Sequence, residues 1–488
     1  MLNLKFDNKR ENKPGLLISC IPVVVLLCSI VMIILNKGAS SVIDYGYILL
    51  LGASIISIIL GKITTSRRLK HVWLGIKKSS RQILPTIPIL AFIGTLSATW
   101  MMSGVVPTLI CYGIRILNPD LFLFLTCLVC SVVSVVTGSS WTTIATIGVA
   151  FMGIGEMFGF PTGWIAGAII SGAYFGDKVS PLSDTTVLAA STTGVDLFSH
   201  IRFMMFTTIP SMVISLIVFA VAGFVISNGG ENQMMNMEGT LERCFNISPW
   251  VLTIPLVTLI LISFRLRTDI VLGIGSLVGL IGMFIFQPQI VNRFVIDDTL
   301  WEKIQFCLHT LCLNTSIPTG NELLDGLIST GGIEGMLPTI YLVLSAMVFG
   351  GVMIGTGMLG TITDAIIYRL HDHKSVVGTT VVSGIFLNSC TGDQYLSLII
   401  GGNIFKNTYR KMNMRPLVLS RSLEDSISVT SVLIPWNSCG VAQSTVLGVA
   451  TLMYLPYCVF NILSPLMSLT VAWLGWKIKT PVPASSPR

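Results

Sequence analysis

Charged side chains are scarce in this sequence. Asp, Glu, Lys and Arg make up 11% of its 488 residues, whereas a soluble domain carries roughly 25%. Hydrophobic residues account for 52%, and the mean hydropathy is +0.81. A soluble surface on a chain of this length needs more charge. The composition therefore excludes a soluble globular enzyme, a disordered chain and a nucleic-acid-binding domain, and it predicts an all-α polytopic membrane protein.

Signatures of catalysis and of cofactor binding are also missing. The sequence has no HExxH motif, no Walker loop and no GxSxG motif in a suitable context, so we predict neither an enzyme nor a bound cofactor. Cys127 and Cys130 have CxxC spacing, but without a second pair or a nearby His we expect buried free thiols. The five histidines are expected at loops or membrane interfaces, where they would be solvated: His71, His200, His309, His371 and His373.

Apolar runs and loop charges together predict a topology. The N-terminus is basic and precedes an apolar run of about 20 residues, which favours a first transmembrane helix over a signal peptide. Segment 62–81 is basic without an acidic residue, so it is expected on the cytoplasmic side. Segments 228–248 and 287–337 are predominantly acidic and are expected outside. We predict a multi-pass protein of the bacterial inner membrane with both termini in the cytoplasm.

The order of apolar segments recurs in the second half of the chain. Each copy has a span, a short apolar segment, an interrupted apolar pair, a broken helix and a final span. The interruption of the apolar pair falls at Thr137-Gly138 in the first copy and at Thr391-Gly392 in the second. The charge pattern gives the copies opposite orientations, as in many secondary transporters. The predicted divisions begin with a two-span segment with a basic loop (1–82) and the first inverted repeat (83–227). A linker with two spans and an external acidic loop (228–337) joins it to the second repeat (338–476), and a cytoplasmic tail follows (477–488). Whether the interrupted pairs are re-entrant hairpins or full spans stays open.

Polar clusters interrupt the apolar sequence at matching places in the two repeats. A charge near the bilayer centre costs roughly 2.5–3.5 kcal/mol even on lenient insertion scales, so such residues need a partner, a cavity or a function. Carboxylates and hydroxyls supply hard oxygen ligands for a small cation. Pro181 is expected to break the helix that carries the polar cluster of the first repeat. The candidate ion or substrate ligands are Thr137, Ser139, Ser140, Asp177, Ser180, Ser183, Asp184, Thr185, Thr186, Asn388, Thr391, Asp393, Arg421, Glu424, Asp425, Thr430 and Asn437.

Structural alternatives exist for each cluster. The segment around Pro181 would also suit a surface turn, and Asp393 would suit a solvated turn. Arg421 precedes Glu424 by three positions and Asp425 by four, so these residues would also be explained by a buried ion pair without any role in ion binding. Hydroxyls such as Thr137 often bond back to their own helix.

A carboxylate in a partly dehydrated site can be neutralised by either a proton or Na+. If only the neutralised site crosses between the two faces, exchange of the two cations is obligatory. The residues predicted to hold Na+ are Ser183, Asp184, Asp393 and Asp425.

Three stretches resemble the NhaC family of bacterial Na+/H+ antiporters. They are GAYFGDKVSPLSDTT at 172–186, LEDSISVTSVLIPWNSCG at 423–440 and LGVATLMYLPYCVFN at 447–461. The resemblance implies two inverted repeats and an elevator-like ion-transporter fold, in which the interrupted pairs and broken helices move against the other spans. By position it places seven residues in family motifs: Asp177, Ser183, Asp184, Thr185, Asp393, Glu424 and Asp425.

The expected function is exchange of Na+ for protons. Because members of the resembling family also exchange malate for lactate, a Na+/H+-coupled organic-acid antiporter is the alternative, with Arg421, Lys178 or helix N-termini to bind the carboxylate. The expected partners are Na+, protons and the lipid bilayer, without nucleic acid. A small organic acid and a homodimer are left open.

Overall fold

The computed structural model describes residues 14–65, 69–226, 239–264, 266–295, 297, 299–318, 325, 328–367 and 372–475. Helices dominate these residues, and Thr315 and Thr330 form one isolated β-bridge. The first half contains Leu16–Lys37, Ser41–Thr64, Leu69–Ile83, Thr86–Met102, Val105–Ile116, Phe122–Thr137, Ser140–Thr143, Val149–Met157, Thr162–Val179, Asp184–Thr193 and Leu197–Ile226. The second contains Thr253–Ser263, Thr268–Phe286, Pro288–Phe294, Leu300–Cys312, Leu337–Gly355, Met358–Ile367, His373–Thr391, Gln394–Lys411, Pro416–Leu423, Ser438–Leu447, Thr451–Tyr454 and Val459–Trp473.

Seven helices of the described segments are long and apolar enough to cross a membrane. An eighth span results if Ser438–Leu447 and Thr451–Tyr457, which meet at an angle of 87°, are counted as one. The outer helices expose large apolar side chains, such as Leu35 and Val225. A lipid-facing surface has this character, and the chain is a helical multi-pass membrane protein, as predicted.

Several predicted topology markers lie outside the described residues. They include the basic N-terminus at 1–13, Arg67 and Arg68, His371, most of the acidic loop at 228–248 and the tail at 477–488. The orientation of the chain in the membrane therefore stays a prediction.

The basic segment predicted as a loop is largely helical instead. Helix Leu69–Ile83 is amphipathic, with Trp73 exposed and Val72 buried. Its Gly75 lies against the backbone of Gly351 and Gly355 in helix Leu337–Gly355, so the two helices cross at close range. Charge counting missed this helix because its apolar face is narrow and its other face is basic.

Both predicted interruptions of apolar pairs are present. Helix Phe122–Thr137 ends at Gly138, and helix His373–Thr391 ends at Gly392, each glycine with a φ of +67°. The left-handed conformation disfavours side chains with a Cβ, which is why glycine stands there. A new helix begins at Ser140 in one case and at Gln394 in the other.

Left-handed residues recur at a constant spacing in the two halves. Three pairs are separated by the same 254 positions: 138 and 392, 159 and 413, and 194 and 448. Ser183 and Asn437, which cap helices Asp184–Thr193 and Ser438–Leu447, have that spacing too. The recurrence supports the predicted internal repeat, while the opposite orientation of the copies stays a prediction.

The crossing at Gly75 gives a first test. A Cβ at this position would lie 2.2 Å from the Gly351 carbonyl oxygen. We expect Gly75→Ala to lower the unfolding temperature in detergent, because such overpacking costs about 1–3 kcal/mol. Gly52→Ala is the control, since nothing lies within 4 Å of a Cβ there. Equal unfolding temperatures for the two variants would contradict the close crossing.

Candidate functional site

The first broken helix, Thr162–Val179 with Asp184–Thr193, is interrupted for local reasons. Pro181 has no backbone N–H to continue the helix. Ser183 adopts an extended conformation and caps the second arm by accepting from the Thr186 N–H. The break therefore places Ser183 and Asp184 at the start of a new helix, where backbone N–H groups are unpaired.

The first hairpin tip, which is the turn at Gly138 between helices Phe122–Thr137 and Ser140–Thr143, packs directly onto this break. A Cβ on Gly138 would lie 2.5 Å from Leu182 Cβ, so only glycine allows this approach. The second broken helix is Pro416–Leu423 with Ser438–Leu447, and the second hairpin tip is the turn at Gly392. They make an equivalent contact, in which the Gly392 position faces Ala346 and the Trp436 carbonyl. Positions 182 and 436 show the same spacing of 254. In both copies, the interruption of the hairpin meets the interruption of the broken helix.

A cavity of about 440 Å³ opens beside the first pair of interruptions. Five predicted site residues line it: Thr137, Ser139, Asp177, Asp184 and Thr185. Ser140 donates a 2.7 Å hydrogen bond to Asp177 Oδ2. Asp184 is exposed, with no hydrogen bond or ion pair in the described structure. Two carboxylates and several hydroxyl oxygens therefore face one space, which suits a hydrated or partly dehydrated cation.

Hydroxyl groups in the first copy also hold its turns together. Thr137 Oγ1 lies 3.2 Å from Thr143 Oγ1, and Ser139 caps the next helix. Ser180 Oγ accepts from the Leu182 N–H, and Thr186 Oγ1 donates to the Lys178 carbonyl. These hydroxyl groups thus have partners within the protein, which agrees with the alternative that such residues bond back to their own chain.

Asp393 lies at the second hairpin tip and is not among the residues that line the cavity, although Gln394 and Tyr395, which follow it, are. It is buried, its Oδ1 accepts from the Leu396 N–H at 2.8 Å, and its Oδ2 accepts from Ser438 Oγ at 3.3 Å. Thr391 Oγ1 lies 2.6 Å from Ser397 Oγ, which repeats the arrangement of Thr137 and Thr143. Asp393 caps a helix at a buried turn, not a solvated one.

The remaining polar residues of this copy connect its hairpin to its broken helix. Asn388 Nδ2 donates to the Ile427 carbonyl at 2.6 Å and lies 3.4 Å from Thr430 Oγ1. Asn437 caps helix Ser438–Leu447 by accepting from the Cys439 N–H, and its Nδ2 donates to the Asn388 carbonyl. These side chains hold the backbone in place.

Glu424 is a fully buried carboxylate between the two arms of the second broken helix. It begins the π-helical stretch Glu424–Ser428, is entirely buried, and neither carboxylate oxygen has a hydrogen-bond partner among the described residues. Thr185 and Lys178 are among its neighbours. A buried carboxylate without a partner is costly when charged, so a proton or a cation must neutralise it.

Asp425 is held by Lys178. Lys178 Nζ forms a buried ion pair with Asp425 Oδ1 and donates a 2.9 Å hydrogen bond to Ser464 Oγ. Thr207 and Ser464 both donate to the same Asp425 oxygen, at 3.3 and 3.1 Å. This network joins both broken helices to Leu197–Ile226 and Val459–Trp473.

Arg421 is buried next to this network and pairs with Asp425, not with Glu424. Its Nε lies 3.9 Å from Asp425 Oδ2, and its guanidinium lies 5.3 Å from the centre of the Phe203 ring. The expected Arg421–Glu424 pair does not form among the described contacts.

His200 also differs from expectation, since it is buried and its Nδ1 lies 2.9 Å from Ser420 Oγ. A histidine near a helix start resembles an interface residue in sequence, but helix Pro416–Leu423 covers it.

The predicted Na+ ligands are thus distributed over three places. Ser183 and Asp184 lie at the first break, Asp393 caps a helix in the second copy, and Asp425 is paired with Lys178. Sequence reasoning did not propose Thr207, Ser464 or His200 as partners of the site. They are isolated polar residues in apolar helices, and no local pattern distinguishes them from back-bonded side chains.

Residues 172–476 match the model of the Na+/H+ antiporter family. The chain belongs to this family. It is 40% identical over 387 residues to the Na+/H+ antiporter NhaC of Alkalihalophilus pseudofirmus, covering 79% of this chain and 81% of that protein. The carboxylates described above all fall inside the matched segment, as does the second broken helix, while the first ten residues of the first broken helix precede it.

Two further relatives are antiporters of other substrates by name. The present chain is 36% identical to the malate-2H+/Na+-lactate antiporter of Bacillus subtilis, over 77% of this chain and 78% of that protein. It is also 36% identical to the arginine/ornithine antiporter ArcD of Halobacterium salinarum, over 85% of this chain and 83% of that protein. These relatives are transporters rather than enzymes.

The buried pair gives a second test. Removing one partner of a buried ion pair costs about 3–5 kcal/mol because the other charge is left uncompensated. We therefore expect Lys178→Met to lower the unfolding temperature of the antiporter in detergent sharply. Lys178→Met combined with Asp425→Asn should recover much of the loss, since the stranded charge is removed. A stable single variant would show that Asp425 does not depend on Lys178.

Proposed function

We propose that the protein exchanges cytoplasmic Na+ for protons, with Asp177 and Asp184 as the cation-binding carboxylates of the cavity and Glu424 as a buried carboxylate behind them. The observation that carries this proposal is Glu424, a buried acid whose oxygens have no hydrogen-bond partner in the described structure. Its neutralisation by either cation provides a physical basis for exchange. The family and the NhaC relatives support the same function.

The cavity would admit the ion from the cytoplasmic side. Its rim includes Pro85 and Thr86, which follow the basic segment predicted to be cytoplasmic, and the exposed Arg267 before helix Thr268–Phe286. Na+ would first meet Asp184 and then Asp177, whose partner Ser140 adds a hydroxyl oxygen. In this assignment the structure has an inward-facing site.

Competition for the same carboxylates would couple the two ions. When Na+ occupies Asp177 and Asp184, protons have less access to these carboxylates. When the site faces the outside, bound protons limit the access of Na+ in the same way. Lys178 forms a buried ion pair with Asp425, so the Asp425 carboxylate already has a counter-charge within the protein. We therefore assign Asp425 a positioning role, and we give Asp393 a similar role at its helix cap.

The larger architecture belongs to the same proposal. Two repeats of opposite orientation, both termini in the cytoplasm and a bacterial cell membrane would let the site face each side in turn. The constant spacing of the left-handed residues supports the repeat, and the basic segments support the orientation.

The organic-acid antiporter remains a second candidate because a malate/lactate antiporter is 36% identical. A dicarboxylate would need a basic anchor in the cavity. Among the described lining residues the basic one is Arg267, which pairs with Asp269 at 2.8 Å. Lys178 is occupied by Asp425, and Arg421 does not line the cavity. This arrangement favours a cation over an organic anion.

Exchange can be measured with purified protein in liposomes that contain a pH-sensitive dye. Addition of Na+ to acid-loaded liposomes should raise the internal pH. We expect Asp177→Asn and Asp184→Asn each to reduce the rate at least about tenfold, since an interaction with a charged group is worth about 1.5–3 kcal/mol.

Asp196→Asn is the matched control for these two variants. Asp196 is exposed and caps a helix by accepting from the Ser199 N–H at 2.9 Å, a role that Asn can also fill. Wild-type exchange in both cavity variants would refute the assignment of the cavity carboxylates.

Glu424→Gln tests the buried carboxylate separately. The amide keeps the shape of a protonated acid and is permanently neutral, so we expect an unfolding temperature close to that of the wild type. Na+-driven alkalinisation should be lost, because neither ion is needed to neutralise the residue. Exchange at the wild-type rate would remove Glu424 from the mechanism.

A further inference from the structure

The cavity is larger than a lone ion requires. Its volume of about 440 Å³ is within the range of about 300–1,000 Å³ of small-molecule sites, whereas roughly 10–15 Å³ admits one water. The size of the space therefore raises the question of an organic occupant.

The charged residues that line the cavity determine whether it prefers a cation or an anion. Asp177, Asp184 and Asp269 are the acidic lining residues, and Arg267 is the basic one described. Arg267 is already paired with Asp269, through hydrogen bonds of 2.8 and 3.2 Å. The two remaining carboxylates give the inner part of the cavity a net negative charge, which attracts cations and repels carboxylates.

Aromatic side chains add a second recognition element. Trp141 follows the first hairpin tip and Tyr395 follows the second, so both copies contribute one ring to the lining. Electrostatic interactions connect Tyr395 with Asp184 and Asp177. Aromatic faces beside carboxylates attract organic cations through their quadrupoles, most strongly where the cation is desolvated. Na+ ligation by oxygen atoms does not require such rings.

A buried amide also faces the cavity with unused hydrogen-bonding capacity. Gln394 is 3% exposed and lines the space. Its Oε1 accepts from Ser431 Oγ at 3.2 Å, and its amide nitrogen has no partner in the described structure. Because a hydroxyl can donate or accept, the amide can present either its oxygen or its nitrogen to a ligand. This group gives an organic ligand a directional contact.

We infer that the cavity binds and exchanges a small organic cation of the guanidinium or primary ammonium class in place of Na+. Asp177 and Asp184 supply the charge, Trp141 and Tyr395 contact the flat or methylated face, and Gln394 hydrogen-bonds its N–H groups. The inference rests on the proposed function, because the same carboxylates would carry the proton in return. No bond is made or broken, and one cation replaces the other.

Methylguanidinium is the probe of choice, because it stays charged at all relevant pH values and does not cross lipid as a neutral base. Methylurea, of similar size but uncharged, is its matched control. In acid-loaded proteoliposomes, methylguanidinium should raise the internal pH and compete with Na+. Methylurea and protein-free liposomes should give no change.

Variants of the aromatic wall separate the organic cation from Na+. We expect Trp141→Leu to raise the half-saturating concentration of methylguanidinium about 3- to 30-fold, with less than a twofold change for Na+. Trp141→Phe keeps a ring and should lie closer to the wild type. Equal weakening of both cations by Trp141→Leu would overturn the assignment, because the ring would then be structural.

The two proposals fail in different ways. Na+-driven exchange without any methylguanidinium exchange or competition would overturn this inference and leave the proposed function intact. Exchange of methylguanidinium without any response to Na+ would support the cavity assignment and refute Na+ as its cargo. If neither Na+ nor methylguanidinium changes the internal pH, both the proposed function and this inference are overturned.

Discussion

Charge neutralisation in a medium of low dielectric is the constraint on which this structure depends. A buried carboxylate loses its hydration and persists only with a fixed counter-charge, a proton or a bound cation. The protein uses two of these solutions side by side in one π-helical stretch. Asp425 is paired with Lys178, whereas Glu424 has no hydrogen-bond partner among the described residues. In the proposed function, these adjacent residues serve opposite purposes, because Asp425 holds the fold and Glu424 is left for a mobile ion.

Turns that recur at a spacing of 254 positions provide the frame of such a site. Each copy ends a helix with a left-handed residue and restarts it two residues later, which leaves backbone groups at the two helix ends without a partner in their own helix. The acidic and hydroxyl residues change places between the copies. Positions 139 and 184 are Ser and Asp, and positions 393 and 438, with the same spacing of 254, are Asp and Ser. In the second copy the two groups bond to each other, at 3.3 Å from Ser438 Oγ to Asp393 Oδ2. In the first copy both line the cavity.

Sequence alone could predict the features that follow from local chemistry. Pro181 and the Thr-Gly pairs indicated where helices break, and the scarcity of charge indicated a membrane protein. Partners that are distant in the chain were not predictable. Lys178 and Asp425 are 247 positions apart, and nothing near either residue marks the other. The helix Leu69–Ile83 was missed for a different reason, since seven basic residues in 62–81 obscured its narrow apolar face.

The network around Asp425 also bears on how the parts would move. In the elevator arrangement implied by the resemblance, the final span of each repeat belongs to the static part. Thr207 and Ser464, which lie in these spans, donate hydrogen bonds to the buried Asp425. Breaking them in each cycle would leave charged atoms unsatisfied at low dielectric, which is costly. We therefore expect Leu197–Ile226 and Val459–Trp473 to move with the broken helices. We expect the sliding surface at Ala346 and Gly350 instead, because these small residues of helix Leu337–Gly355 pack so closely on the second hairpin tip that a Cβ on Gly350 would lie 2.9 Å from the Thr391 carbonyl oxygen.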